Sequence, residues 1–311
     1  MIGRLAEPVS RGDSGHVRSD ARLSIGVEYA GDRLRVVALD LRRDAVRAGF
    51  SVPLTDGHAS LNDAVTRASE ALERHGVSRA APWHVAMSME RCATSVLDLP
   101  PRSSGAPVEE LAAGELSRGS PDGAVEVAVF DPPTVTGSGD VGRKGPVDYL
   151  VIGAAREAIM GILGVTEDIG VQLAAIDVPA AAVSRACAGG SKLVLEVRPD
   201  LLSVHATFQG LPVLSRSVRP GASCVSGELV LEEIDRAAAF LSRQRVDTGI
   251  NEIVVIGKPS AELAEEIGAE FSIHTGIWSP AACWSNREII GPDLAVAFGA
   301  ALWPAADGGG S

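Results

Sequence analysis

A strand and hairpin device occurs twice in this chain, and that repetition restricts its possible architectures more than any other feature. Residues 192–218, KLVLEVRPDLLSVHATFQGLPVLSRSV, read as three consecutive strands. KLVLEV is a short apolar run, LLSVHATF alternates, and LPVLSRSV leaves a tight turn at Gln209-Gly210. Near the start, LSIGVEYAGDRLRVVALDL gives a strand, a glycine-containing turn at Ala30-Gly31-Asp32 and a second strand. The first strand of each copy carries one acid near its end, Glu28 in IGVEYAG and Glu196 in LVLEVRP. Two copies about 170 residues apart point to an internal duplication and hence to two similar halves.

Between and after the copies the periodicity changes. A third strand, AVRAGFSVPL, ends at Pro53, and SLNDAVTRASEALERHG is a helix. Ser60 is expected to cap it, Gly76 to stop it, and Leu61, Ala64, Val65, Ala68, Ala71 and Leu72 to line its buried face. WHVAMSM is the next strand. From Ala93 the order is a strand TSVLDL, Pro100-Pro101, a short helix VEELAAGELSRG and a strand AVEVAVFD. A loop over 132–146 and a strand VDYLVIGAA follow. GELVLEEIDRAAAFLSRQRVD is a helix expected to turn Leu229, Ile234, Ala237, Ala238 and Leu241 inward, with Glu232 and Arg236 outside. NEIVVIG, PSAELAEEIG and FSIHT read as strand, helix and strand, with Pro259 or Ser260 starting the helix. GPDLAVAFGAAL is a closing helix beginning at Gly291-Pro292, with Ala and Gly allowing close packing, and is expected to return against the first half.

Composition narrows the function classes. The chain has 311 residues, enough for two domains with real cores. Its net charge of −12 argues against nucleic acid as a main partner, because phosphate neutralisation needs clustered Lys and Arg. Cys92, Cys187, Cys224 and Cys283 form no CxxC pair, which fits free thiols in a reducing cytosol better than a disulfide framework. With the six histidines equally dispersed, zinc is not expected. No run reaches transmembrane length, so the expectation is a cytoplasmic protein without direct membrane insertion.

The order of the short motifs carries a family resemblance from about Leu23 to Trp303. The sequence resembles the actin-like proteins of type IV pilus and type II secretion assembly, the PilM group, related to the division protein FtsA. That group opens each half with a strand reading roughly D-I-G-S-S. Here the two places read Glu28-Tyr29-Ala30-Gly31-Asp32 and Glu196-Val197-Arg198-Pro199-Asp200. Leu99-Pro100-Pro101 with Glu109-Glu110-Leu111 is similar to the start of the inserted subdomain. Ala154-Ala155-Arg156-Glu157 and GVQLAAIDVPAAAVSRAC are similar to later family motifs. The resemblance implies an α/β, actin-like ATPase (ribonuclease-H-like) fold of two similar halves with a small inserted subdomain. Its layout would be a disordered tail over 1–20, a first half over 21–190 with the insertion at about 93–150, a second half over 191–303 with a reduced lid subdomain and a C-terminal helix, and a flexible end over 304–311.

The resemblance also names a candidate site. In actin-like ATPases two strand-end acids and their Gly/Ser hairpins hold Mg²⁺ and phosphates, with backbone amides at close range. The corresponding residues are Glu28, Arg35 near the family's lysine position, Glu196, and Gly257, where the family has a glycine run for the adenosine end. Three departures stand against a working site. Arg198-Pro199 replace small residues, removing an amide and bringing a large side chain into the phosphate space, Lys258-Pro259 replace glycines, and almost no chain lies between Gly221 and Gly227 where the lid belongs. ATP with Mg²⁺ is therefore the alternative expectation and a pseudo-ATPase the first one. Glu28 and Glu196 as plain polar strand ends stays open beside both.

By resemblance the function is that of a cytoplasmic scaffold, recruited to the inner membrane by docking the cytoplasmic tail of a pilus or secretion partner, with self-association possible. A functional actin-like ATPase and an adaptor of cell division or another envelope assembly are the alternatives. Elsewhere the chemistry is thin. GSGDVG over 137–142 matches G-x-G-x-x-G, but no helix follows it, so it reads as a hairpin loop. His84, His205 and His274 read as structural histidines on apolar strands. Trp278 and Trp284 read as packing under a loop, with a partner anchor as the other reading.

Overall fold

The computed structural model describes residues 23–30, 32–54, 58–119, 125–131, 146–221, 224–243 and 249–303. In chain order the first elements are β1 (Leu23–Ala30), β2 (Arg33–Asp40), β3 (Ala45–Pro53), α1 (His58–Arg74) and β4 (Trp83–Met87). The insertion supplies β5 (Cys92–Leu99), α2 (Val108–Gly119), β6 (Val125–Phe130) and β7 (Val147–Ala155). Then come α3 (Arg156–Ile169), β8 (Leu173–Asp177) and α4 (Pro179–Ala186). The second copy begins with β9 (Ser191–Val197), β10 (Leu202–Phe208) and β11 (Leu211–Val218). It continues through α5 (Gly227–Arg243), β12 (Glu252–Gly257), α6 (Ala261–Phe271), β13 (His274–Ile277) and α7 (Ala295–Ala301). The tails and the GSGDVG loop lie outside the described residues.

The duplication is visible in the sheets. One has the order β3-β2-β1-β4-β8 and the other β11-β10-β9-β12-β13, so each is an antiparallel meander extended by two parallel strands. Gln209 and Gly210 both have positive φ, 52° and 81°, the backbone that a tight hairpin matched to strand twist requires. β11 runs to α5 over residues 219–226 without the room for a lid subdomain.

The chain divides into two compact units. One comprises Met1–Arg91, Arg156–Ala186 and Ser279–Ser311 and holds the first sheet. On one sheet face α1 and α3 bury Leu61, Ala64, Val65, Ala68, Leu72, Ile159 and Ile162. On the other lie α4 and α7, so the last helix of the chain returns to β1 as expected. Small residues make that approach possible. A Cβ at Gly26 of β1 would fall 1.9 Å from Ala297 O, and one at Gly299 would fall 1.8 Å from Ala182 O. The Arg185 guanidinium fastens the arrangement. It pairs with Asp177, donates through Nε to Gly299 O at 2.9 Å, and lies 4.9 Å from the Trp303 ring centre.

The other unit comprises Cys92–Ala155 and Cys187–Trp278. Its five-stranded sheet packs Leu193, Leu195, Val197, Leu202 and Val204 against Val230, Ile234, Ala237 and Leu241 of α5 and Ile267 of α6. The insertion forms a three-stranded antiparallel sheet, order β5-β7-β6. One face of that sheet closes on α2 through Leu99, Val108, Ala112, Val127, Tyr149 and Val151. In sequence the insertion interrupts the first half, yet it packs within this unit, with β11 beside β6 and β7.

Three local expectations are corrected. α1 starts at His58, two residues before the expected start, which places Ser60 inside its first turn. On α5 the buried residues include Val230 and Glu233, while Ala238 is exposed. The helix turns further than expected because Arg216 and Arg236 hold the Glu233 carboxylate at 3.1 and 2.6 Å and make its burial tolerable. The closing helix opens with a 3-10 turn, Pro292–Leu294, before α7. Ser260, by contrast, caps α6 as one of the two starts expected, its Oγ accepting from Leu263 N at 3.1 Å.

Candidate functional site

Strand alternation places Glu28. Val27 and Tyr29 face α1 and α3, where they line a small apolar cavity with Leu34, Leu61, Val65 and Ile162, so Glu28 points to the opposite face. In the β1–β2 register Glu28 stands directly opposite Arg35. Arg35 Nη1 donates to Glu28 Oε1 at 2.9 Å, and the two side chains are only 4% and 1% exposed. Arg35, expected near a phosphate-binding lysine position, is turned onto the acid of its own hairpin. Beyond the strand ends Arg33 pairs with Asp32 at 2.6 Å, and the Arg91 guanidinium sits 4.4 Å from the Tyr29 ring centre.

The second acid has a matching arrangement inside the other unit. Arg198 lies two residues beyond Glu196, hence on the same face of the strand. Its Nε donates to Glu196 Oε1 at 2.7 Å, with both side chains buried. The sequence reading put the Arg198 side chain into the phosphate space; the structure corrects that, because it folds back onto Glu196. Its backbone is also engaged, N to Leu201 O at 2.9 Å, while Pro199 offers no N–H and accepts from Val225 N.

Gly257 has a packing reason to be glycine. Its φ is 89°, and a Cβ there would fall 2.3 Å from Val197 O. The next amide, Lys258 N, donates to the same carbonyl at 2.7 Å, so it extends the β9–β12 ladder. The amides of Arg198 and Lys258 are thus occupied, and Pro259 has none to offer.

The four predicted residues are therefore two ion-paired acids, Glu28 and Glu196, one of the arginines that pair them, Arg35, and a glycine packed on a strand. The residue that sequence reasoning assigned wrongly was Arg198, although the i, i+2 spacing of Glu-Val-Arg already places both charges on one face. Chemically, a Mg²⁺ ion at either acid must first displace a buried guanidinium already hydrogen-bonded there. The residues present do not fit Mg²⁺-nucleotide, and no group of three or more His, Cys, Asp or Glu among the described residues is arranged to hold a metal.

Of the remaining candidates in the described residues, His84, His205 and the two tryptophans resolve as packing, while the reading of His274 as a structural histidine is corrected by its exposure. His84 and His205 are 3% and 0% exposed, and burial pushes both imidazoles down to about 4. For His84 the nearby Arg185 charge adds to that effect. His205 Nδ1 lies 2.9 Å from Ser215 Oγ, while His274 is exposed at the start of β13. Trp278 is buried, and Trp284 packs edge-on against Phe298 with ring centres 5.2 Å apart, in keeping with the packing reading.

This pair of matching sheets, with the last helix returned to the first, decides the fold class. The fold is actin-like. Two solved structures carry the comparison. The PilM–PilN type IV pilus biogenesis complex matches at a TM-score of 0.66 with 18% identity, over 90% of this chain and 98% of that one. The cytoplasmic domain of EpsL, an inner membrane component of the type II secretion system of Vibrio cholerae, matches at 0.53 with 12% identity, over 90% and 95%. No protein-family model and no curated protein matches the sequence. The resemblance to PilM read from the sequence is thus upheld at the level of fold.

Proposed function

We propose that this chain is a scaffold or adaptor of a type IV pilus or type II secretion-like envelope assembly, a pseudo-ATPase that docks the cytoplasmic tail of an inner-membrane partner. The observation that carries the reading is the arginine on each acid. Arg35 neutralises Glu28 and Arg198 neutralises Glu196, each within its own unit and out of water. An actin-like frame whose two strand-end carboxylates are paired with arginines keeps its surfaces but has no use for the nucleotide. The two solved structures of this fold, one a PilM–PilN pilus complex and the other a domain of an inner membrane secretion component, support such a role.

Recruitment through a protein suits the surface. Among the described residues no helix is long and apolar enough to cross a membrane, and a net charge of −12 disfavours direct adsorption to anionic lipid. The test is capture from detergent-solubilised membranes of the native host by the tagged chain, with and without added MgATP. Single-span proteins encoded with pilus or secretion genes, recovered equally under both conditions, are the expected result. Recovery of division proteins would reassign the assembly, and capture that requires MgATP would restore the ATPase reading. A chain that cross-links to nothing is not an adaptor.

A further inference from the structure

The sheet edges of this protein are not treated alike. At the β3 edge the protein's own chain adds a bridge, Val46 N donating to Ser285 O at 3.0 Å, and the β2–β3 ladder is bulged. The ladders reaching the β8 and β11 edges carry register shifts as well, and β13 is only four residues long. Bulges, shortness and covering segments are how proteins keep sheet edges from pairing with other chains. β5 uses none of them. It is eight residues long, pairs with β7 in unbroken register, and contains neither Lys nor Pro. Among the described residues, positions 93–99 make no hydrogen bond beyond the β5–β7 ladder, and all but Leu99 are at least partly exposed.

The charges on this sheet say what the edge would take. Asp98 of β5 lies directly opposite Asp148 of β7, and both are exposed. Like charges directly opposite in a ladder are unfavourable, yet among the described residues neither carboxylate has a cationic partner. Arg102, a few residues on, is committed to Glu109 and Asp131. Leu97 and Leu99 turn toward α2, so Thr94, Val96 and Asp98 share the other face.

We propose that the outer edge of β5, unpaired among the described residues, accepts an extended basic segment as a fourth strand. Its Lys or Arg would lie opposite Asp98, with apolar or β-branched residues two and four positions away opposite Val96 and Thr94. Main-chain bonds along the edge would supply affinity and the alternating side chains selectivity. The source is a cytoplasmic tail next to a membrane span, where Lys and Arg are enriched; this assignment of the source rests on the adaptor reading.

The test uses the full chain and a random octapeptide library displayed on phage. Expected winners carry Lys or Arg two and four positions from Val, Ile, Leu or Thr. As synthetic peptides they slow amide exchange at residues 93–99, and they bind Asp98→Lys about tenfold more weakly than wild type. Free Asp98→Lys should melt roughly 1–2 °C higher, since Asp148 gains a partner, which shows that the variant is folded. Charge-indifferent winners, protection elsewhere with 93–99 unchanged, undiminished binding to Asp98→Lys, or no winners at all would each overturn the proposal. Membrane proteins captured equally by wild type and Asp98→Lys would remove the β5 site and leave the adaptor reading standing. Peptides behaving as expected, with no membrane protein ever captured, would do the reverse.

Discussion

Glu196 and Arg198 share one strand face and are almost entirely out of water, so each depends on the other. Removing one partner of such a pair leaves an uncompensated buried charge, whereas replacing both by apolar groups is close to neutral. Arg198→Met alone should therefore lower stability by about 3–5 kcal/mol, and Glu196→Leu combined with Arg198→Met should return most of the loss in urea unfolding. Equal losses in the single and double variants would show that the pair is not what satisfies Glu196. The buried histidines give a pH signature. His84 and His205 are held neutral, with folded values of about 4 against an ordinary 6.5, so between those limits the unfolded chain binds more protons than the folded one. Their contribution is full above pH 6.5 and falls away as pH drops toward 4, on the order of 3 kcal/mol for each. Urea midpoints measured from pH 7.5 to 4 should fall less steeply in His84→Asn and His205→Asn than in wild type. The residue-level site was half legible in the sequence. Both acids were found, but the consequence of Arg198 depends on where a side chain folds, and that is fixed by burial rather than by motif position.

Helix α7 shows how an element can be readable while its fit is not. The run of Ala and Gly in GPDLAVAFGAAL announced close packing, and the structure identifies the two contacts that need it, Gly26 against Ala297 and Gly299 against Ala182. In an exposed helix Gly→Ala stabilises by up to about 1 kcal/mol. Here Gly299→Ala and Gly26→Ala are each expected to destabilise by about 3 kcal/mol, because a methyl cannot enter without moving backbone. Thermal melts of the two variants check this, and an unchanged or higher Tm would contradict the packing. On the opposite sheet face the cavity of about 20 Å³ beside Val65 is lined almost wholly by apolar groups. Val65→Ile should fill part of it and raise stability by roughly 0.5 kcal/mol. The face of α5 was misjudged in sequence for a related reason. Glu233, not among the residues expected to turn inward, is buried there because Arg216 and Arg236 supply its partners.

At the scale of the whole molecule the duplication was the strongest signal, because hydrophobic periodicity marks the strands of both copies, which the structure assembles into two sheets of the same order. What periodicity does not encode is which body an insertion joins. The three-stranded sheet interrupts the first half of the chain and packs with the second copy, a tertiary choice made by contacts between β11 and the inserted strands. On the proposed reading this actin-like frame works without a nucleotide, its two acids being occupied by Arg35 and Arg198. Isothermal titration of the full chain with ATP in the presence of Mg²⁺ tests it most directly. The expected result is no saturable heat at millimolar nucleotide, in wild type and in Glu196→Ala alike. Micromolar binding by wild type that disappears in Glu196→Ala would contradict the claim.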